Sequence, residues 1–177
     1  MESADLESCL KGAKQLGTRA KIFFVEKKFE ESLQIRLKEI ALLESAYKSD
    51  EKNGKVAGYL GETYSSIAKT LYKLKKEDIE YLLKAEEVFK KTFDAFKLPA
   101  FAYDTYLFVL RKLCGRAQKA EDKLPYARDY VLVLKKAARE KRYIYYKGGP
   151  SPAEDMLPGA TAMLNELEDY IKSKNKI

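Results

Sequence analysis

The chain has 177 residues, of which 46% are hydrophobic and 34% charged, and its formal net charge is +7. This is the composition of a folded protein, and the length suits one domain or one short helical array. The sequence contains no histidine, which excludes histidine-dependent triads, His-ligated metals and imidazole acid–base chemistry. The two cysteines, Cys9 and Cys114, lack ligand-like spacing and are expected to be small buried hydrophobes. We therefore expect neither a metal site nor a cofactor.

The sequence also bears on location. No apolar run approaches the roughly 18 residues that a membrane span needs. The N-terminal residues Met1-Glu2-Ser3-Ala4-Asp5 are acidic and resemble neither a signal peptide nor an Arg-rich transit peptide. We expect no membrane insertion and a cytoplasmic location, with a nuclear chain or a processed organellar chain as open alternatives.

Apolar residues recur at three- and four-residue steps along the first half of the chain, which predicts amphipathic helices. A polar loop precedes the third helix, where Asn53 is a predicted N-cap. Pro99 biases Leu98 out of the helical region and so ends the fourth helix. In chain order, the predicted helices cover about residues 6–25, 29–47, 55–74 and 79–98.

The second half continues the pattern. A fifth helix is predicted to start at Pro99, which suits a first helical turn, and a sixth near Pro125. Residues 143–152 are predicted to be irregular. The run Ser151-Pro152-Ala153-Glu154 has the form of a capping box with proline at the first helical position. Pro158-Gly159 is expected to break or restart the last helix.

Seven helices with short connections, and no long period-two runs, predict an all-α protein whose consecutive helices are antiparallel neighbours. We predict a single helical-repeat domain spanning residues 1–177. Its parts are hairpins at about 4–48, 53–97 and 99–141, followed by a capping helix at about 152–173.

One hairpin carries a repeat motif. Leu60-Gly61 followed by Tyr64 on the third helix, and Ala85 followed by Phe89 on the fourth, match the tetratricopeptide-repeat (TPR) pattern. The chain therefore resembles the TPR-like superfamily, in a degenerate long-helix variety like the kinesin-light-chain hairpins. The resemblance implies antiparallel helical hairpins stacked as a short right-handed solenoid with a C-terminal capping helix.

The resemblance also implies a function. TPR-like arrays bind a peptide or helix of a partner in a groove between hairpins, so we expect a non-enzymatic protein–protein interaction module, an adaptor or scaffold subunit within a larger assembly. An acidic segment is one form such a partner could take. An alternative role for Phe24 is packing against the neighbouring hairpin. The groove positions carried over are Gly17, Lys21 and Phe24 on the first helix and Gly58, Glu62 and Ser65 on the third.

Charge suggests an alternative function. Residues 101–150 carry twelve basic and five acidic side chains, whereas residues 1–50 carry nine of each. The bases of the densest segment, with three interleaved tyrosines, could contact phosphates and stack on bases. They could equally meet an acidic protein, or form a solvated helix end favoured by the helix dipole. A basic module on nucleic acid or an anionic surface is thus the alternative, through Lys135, Lys136, Arg139, Lys141, Arg142 and Lys147.

No catalytic residues are predicted. Aspartates and glutamates are plentiful, but they lie on lysine-rich helical surfaces rather than in paired, apolar surroundings. Gly148-Gly149-Pro150 lacks the lysine and serine of a Walker-type phosphate loop and is more typical of a linker. We therefore expect that the chain is not an enzyme.

Overall fold

A computed structural model describes residues 3–95, 98–146 and 149–174. Over these ranges the chain forms seven helices and one two-stranded sheet, which confirms the predicted helical class. None of the described helices is long and apolar enough to cross a membrane. The elements are α1 (Ser3–Val25), α2 (Phe29–Ser49), α3 (Gly54–Lys73), α4 (Ile79–Ala95), α5 (Ala102–Arg116), α6 (Ala120–Arg139), β1 (Tyr143–Tyr146), β2 (Gly149–Pro152) and α7 (Ala153–Lys174).

The chain divides into two compact units, residues 1–102 and residues 103–177. Unit 1 contains α1 to α4 and the segment that leads to α5. Unit 2 contains nearly all of α5 and the elements after it. That the two units form one helical-repeat domain stays a prediction.

In unit 1, α1 and α2 form an antiparallel hairpin. Gly12 of α1 lies beside Leu42, near the C-terminal end of α2, and the carbonyl oxygen of Ala20 accepts a hydrogen bond of 2.8 Å from Ser32 Oγ, near its N-terminal end. The two contacts pair position 12 with 42 and position 20 with 32, so the two helices run in opposite directions. Ala13 and Ala20 are buried at this contact, because small side chains let the two backbones approach.

Helix α3 begins at the predicted cap. Asn53 Oδ1 accepts the backbone N–H groups of Lys55 and Val56 at 3.2 Å each, satisfying two donors that have no partner within the helix. The helix then packs against both α2 and α4. Its centre carries Gly61, which lies against the ring of Phe89 on α4.

Pro99 does not start the fifth helix, which begins at Ala102. The residues between are held on unit 1: a Cβ on Gly58 of α3 would lie 2.8 Å from Pro99 Cγ and 3.1 Å from Phe101 Cζ. The Phe101 ring also stacks on Tyr59, with 4.8 Å between centroids. This packing holds Pro99 in a turn whose carbonyl accepts the N–H of Ala102 at 3.0 Å.

Two further predictions at prolines are wrong. Helix α6 starts at Ala120, five residues before Pro125, and α7 runs through Pro158 and Gly159 without ending. Each proline lies in the second turn of its helix, where it removes one backbone hydrogen bond. Packing outweighs that loss, since Ala153 and Ala160 are buried on either side of Pro158.

The region predicted to be irregular is a β-hairpin. Pro152 closes β2 and is therefore not the first residue of α7. The N–H of Ala153 donates to the carbonyl oxygen of Arg142 at 3.0 Å. Hydrogen-bonded and non-hydrogen-bonded pairs alternate along an antiparallel ladder. Pro150 and Pro152, the two strand prolines, therefore lie at non-hydrogen-bonded positions, where a missing N–H costs nothing. The antiparallel register pairs Tyr143 with Pro152, Ile144 with Ser151, Tyr145 with Pro150 and Tyr146 with Gly149.

Candidate functional site

The predicted groove positions on α3 are mostly covered. Ser65 has an exposed fraction of 0%, and Gly58 lies beneath Pro99 and Phe101. Both residues therefore serve helix packing within unit 1. Glu62 is half-buried and is the only one of the three α3 positions that reaches the surface.

On α1 the three predicted positions have different surroundings. A Cβ on Gly17 would lie 2.6 Å from Glu39 Oε1, so Gly17 faces α2. Phe24 packs edge-on against Phe29 of the same hairpin, with 5.3 Å between ring centroids. Lys21 is exposed. The six predicted positions do not form one accessible surface, and a binding role for Lys21, Phe24 and Glu62 stays a prediction.

A buried carboxylate in unit 1 was not singled out from the sequence. Glu39 of α2 is 6% exposed; its Oε2 accepts Arg36 Nη1 at 2.6 Å and its Oε1 accepts Thr63 Oγ1 at 3.0 Å. Burial raises the pKa of Glu39, against the opposing effects of Arg36 and Thr63. The hydrogen bond from Thr63 connects α3 to α2, so Glu39 stabilises the packing of these two helices. Its signal was a glutamate at four-residue spacing from Ile35 and Leu43, on an apolar stripe.

The five predicted bases of the basic patch that the structure describes differ in their surroundings. Arg142 turns inward: its Nε donates to Glu140 Oε2 at 2.7 Å, and its guanidinium lies 5.1 Å from the centroid of Tyr103. Lys136 is half-buried, and Lys147 lies outside the described residues. The exposed members are Lys135, Arg139 and Lys141.

The β-hairpin is held on α5 by a side chain. Asp104 Oδ1 accepts the backbone N–H of Tyr145 at 3.2 Å. Burial raises the pKa of Asp104, and the Tyr145 N–H lowers it. Ile144 packs inward, while Tyr143 and Tyr145 face outward because successive strand side chains alternate.

A groove runs between α5, α6 and α7 of unit 2, and sequence reasoning missed it. It starts as a cavity of about 230 Å³ lined by Asp104, Leu107, Phe108, Arg111, Tyr130, Ile144, Tyr145 and Met156. Arg111 and Tyr130 also line a neighbouring cavity of about 500 Å³, so the two cavities are adjacent. The other residues of the second cavity include Leu110, Cys114, Lys123, Ala127, Met163, Glu166 and Leu167.

The groove continues along α7. A third cavity of about 500 Å³ shares Lys123 and Leu167 with the second and reaches Tyr170. From Met156 to Tyr170 the wall formed by α7 is about 21 Å long at 1.5 Å per residue. The sequence signal was weak, because only the unpaired face of α7 shows it, at Met156, Met163 and Leu167.

The lining of the groove suits binding more than chemistry. The walls of the first two cavities are chiefly aliphatic, aromatic and methionine side chains. The third cavity is mostly polar and is lined by Gln118, Lys119, Glu121, Lys123 and Lys174 beside Ala120, Leu167 and Tyr170. Cys114, half-buried there rather than buried as predicted, has its thiol pKa raised by burial and lowered by Lys123. Across the described ranges, no group of three Cys, Asp or Glu side chains is placed to hold a metal ion. The chain matches no family model, no curated protein and no solved structure.

Proposed function

We propose that this chain is a non-enzymatic protein–protein interaction module, an adaptor or scaffold subunit that holds an amphipathic helix of a partner in the α5/α6/α7 groove. The carrying observation is the continuity of the groove, whose three cavities share lining residues and follow α7 for about 21 Å. That length accommodates about four turns of helix. Amphipathic helices commonly bind by laying their apolar face into such a groove.

The methionines of the groove support a helix as the occupant. Met163 is 48% exposed, although it borders an apolar cavity. Methionine is unbranched and flexible, so two of them on one wall can adapt to the side chains of a bound helix. Burial of Met163 would add to the affinity, at roughly 25 cal/mol per Å² of apolar surface.

Charged side chains of both signs line the groove. Asp104 and Arg111 lie in the first cavity, and Lys123 and Glu166 lie in the second. A bound helix whose polar residues pair with these charges would gain specificity more than affinity.

The proposal includes a TPR-like right-handed solenoid as the architecture. Its support is the antiparallel packing of α1 on α2 and of α3 on α4, with Gly61 and Phe89 of the repeat motif in contact. A small residue opposite an aromatic ring is what the motif requires for close approach of its two helices.

The test is selection from a displayed library of helix-forming peptides on the immobilised full chain. We expect the selected peptides to share apolar residues at i, i+3 or i+4, and i+7. They should lose binding to a Met163→Glu variant and keep it with Leu83→Glu, a control on α4 of similar exposure, 43% against 48%. Equal binding to both variants, or no enrichment of amphipathic sequences, would overturn the proposal.

A further inference from the structure

The exposed face of β1 presents two aromatic rings side by side. Tyr143 is 62% exposed and Tyr145 is 69% exposed, on the same face of the strand. Their placement is fixed, because Ile144 between them is buried and the N–H of Tyr145 is bonded to Asp104. Two neighbouring exposed aromatics on one strand face form a small apolar patch, and contiguous apolar patches mark interaction sites more often than single exposed residues do.

Three exposed cations lie shortly before β1 along the chain. Lys135 and Arg139 lie four residues apart on an exposed stripe of α6. Lys141 has a positive φ of 52° and its N–H donates to the carbonyl oxygen of Ala138 at 2.9 Å, which ends α6 and turns the chain into β1. Lys141 therefore stands two residues before Tyr143.

The three cations are not neutralised by acidic side chains of the described residues. Among the described residues, Lys135, Arg139 and Lys141 form no ion pair, whereas the neighbouring Arg142 is bound by Glu140. These three unneutralised charges lie two to eight residues before Tyr143, so the segment that leads into the two exposed rings is positively charged. We call Tyr143, Tyr145, Lys135, Arg139 and Lys141 the tyrosine–basic surface.

We propose that the tyrosine–basic surface binds single-stranded nucleic acid. Unpaired bases would stack on the two tyrosine rings while the phosphates lie near the three cations, which is how sequence-tolerant single-strand sites combine stacking with charge. A duplex hides the faces of its bases within its own stack, so it would engage the cations alone. An acidic peptide would likewise leave the rings unused.

The proposal gives a salt dependence. Three phosphate contacts predict a slope of about −2 for the logarithm of affinity against the logarithm of salt concentration, with about 0.7 per contact on a single strand. Affinity should then fall about 20-fold between 50 and 200 mM salt. Stacking on a ring is far less sensitive to salt, so the rings and the cations can be separated by experiment.

The experiment is fluorescence anisotropy of a labelled single-stranded oligonucleotide and of its duplex with the full chain, at 50 and 200 mM salt. The single strand should bind more tightly than the duplex. Tyr143→Ala with Tyr145→Ala should weaken binding about tenfold or more and leave the salt slope unchanged. Lys135→Gln, Arg139→Gln and Lys141→Gln together should flatten the slope. Tyr72→Ala, on a tyrosine of unit 1 that is 60% exposed, is the control.

Several outcomes would overturn the proposal. They are no binding at 50 mM salt, equal affinity for the duplex, and single-strand binding that the tyrosine variant leaves intact. Poly-glutamate is tested in the same assay: if its affinity equals that of the oligonucleotide and is unchanged in the tyrosine variant, the cations would instead serve an acidic protein partner. Circular dichroism melting of each variant shows that it is folded. Tyr145 also borders the groove, so a further control must separate the two sites. The Met163→Glu variant, which alters the groove alone, should retain oligonucleotide binding.

Discussion

Gly61 of α3 lies directly against the ring of Phe89 on α4. A Cβ on Gly61 would stand 2.6 Å from Phe89 Cε1 and 2.7 Å from Cε2. The ring cannot swing aside, because Phe89 has no exposed surface. The contact therefore fixes how closely α3 and α4 approach, and it leaves no room for a side chain at position 61.

Replacing Gly61 by alanine should destabilise unit 1 by about 1–3 kcal/mol through overpacking, although alanine favours helix more than glycine does. The matched control is Gly12→Ala on α1 of the same unit. There the new Cβ would be 3.5 Å from Leu42 Cδ1, an ordinary contact. We expect that control to stabilise by about 0.5–1 kcal/mol. Urea unfolding measures both, and a shift of equal sign in the two variants would contradict the packing argument.

Glu39 predicts a pH dependence of stability. Because its pKa is raised in the folded protein, folding favours the protonated carboxyl. The resulting stabilisation is fully present below pH 4.5, the ordinary pKa of a glutamate, and is lost as pH rises through the pKa of Glu39 in the folded protein. Relative to a Glu39→Gln variant, the free energy of unfolding of the native protein should therefore be greatest in acid and decline above about pH 4.5.

The measurement for Glu39 is urea unfolding of both proteins across that pH range. Glu7→Gln, which removes an exposed carboxylate on α1, is the control, and its difference from the native protein should change less with pH. A Glu39→Gln difference that grows in the opposite direction would mean that Arg36 outweighs burial at this site.

The cap of α3 should carry a measurable share of stability. Asn53→Ala removes the acceptor for the N–H groups of Lys55 and Val56 and should cost about 1 kcal/mol. Asn53→Asp keeps an acceptor and adds a negative charge at a helix N-terminus, so it should cost little or stabilise slightly. Thermal unfolding of both variants tests this, and equal losses would show that capping is not the reason.

Asp104 should hold the β-hairpin on α5. Asp104→Ala removes the acceptor of the Tyr145 N–H, and we expect about 1 kcal/mol of lost local stability. Hydrogen exchange should show faster exchange of the Tyr145 amide, with the amides of α3 unchanged because they belong to unit 1. Unaltered protection at Tyr145 would mean that the hydrogen bond to Asp104 does not control exchange at this amide.

The helices of this protein could be predicted from its sequence because their apolar periodicity is long and regular. The cap at Asn53 also follows from a local signal. The hairpin of β1 and β2 could not be predicted, because each strand has only four residues. Over so short a segment, alternation of apolar and polar side chains cannot be told from the sequence of a loop. Proline rules failed at Pro99, Pro125 and Pro158, where packing outweighs local preference.

The groove was missed for a physical reason. Its walls come from α5, α6 and α7, and only tertiary packing decides which face of α7 stays uncovered. Periodicity placed Met163 on a helix, but the same stripe also contains Ala160, which is buried. The sequence also could not show that the predicted groove residues Gly58 and Ser65 are covered, because a small or polar side chain suits close helix packing as well as ligand contact.

The most direct measurement for the central proposal is NMR of the methionine methyl groups. The chain has three methionines, and two of them, Met156 and Met163, line the groove. On titration with a selected amphipathic peptide, we predict that the Met156 and Met163 methyl signals shift together. Saturable peptide binding that leaves both groove methionines unshifted would contradict the proposal that the α5/α6/α7 groove is the binding site.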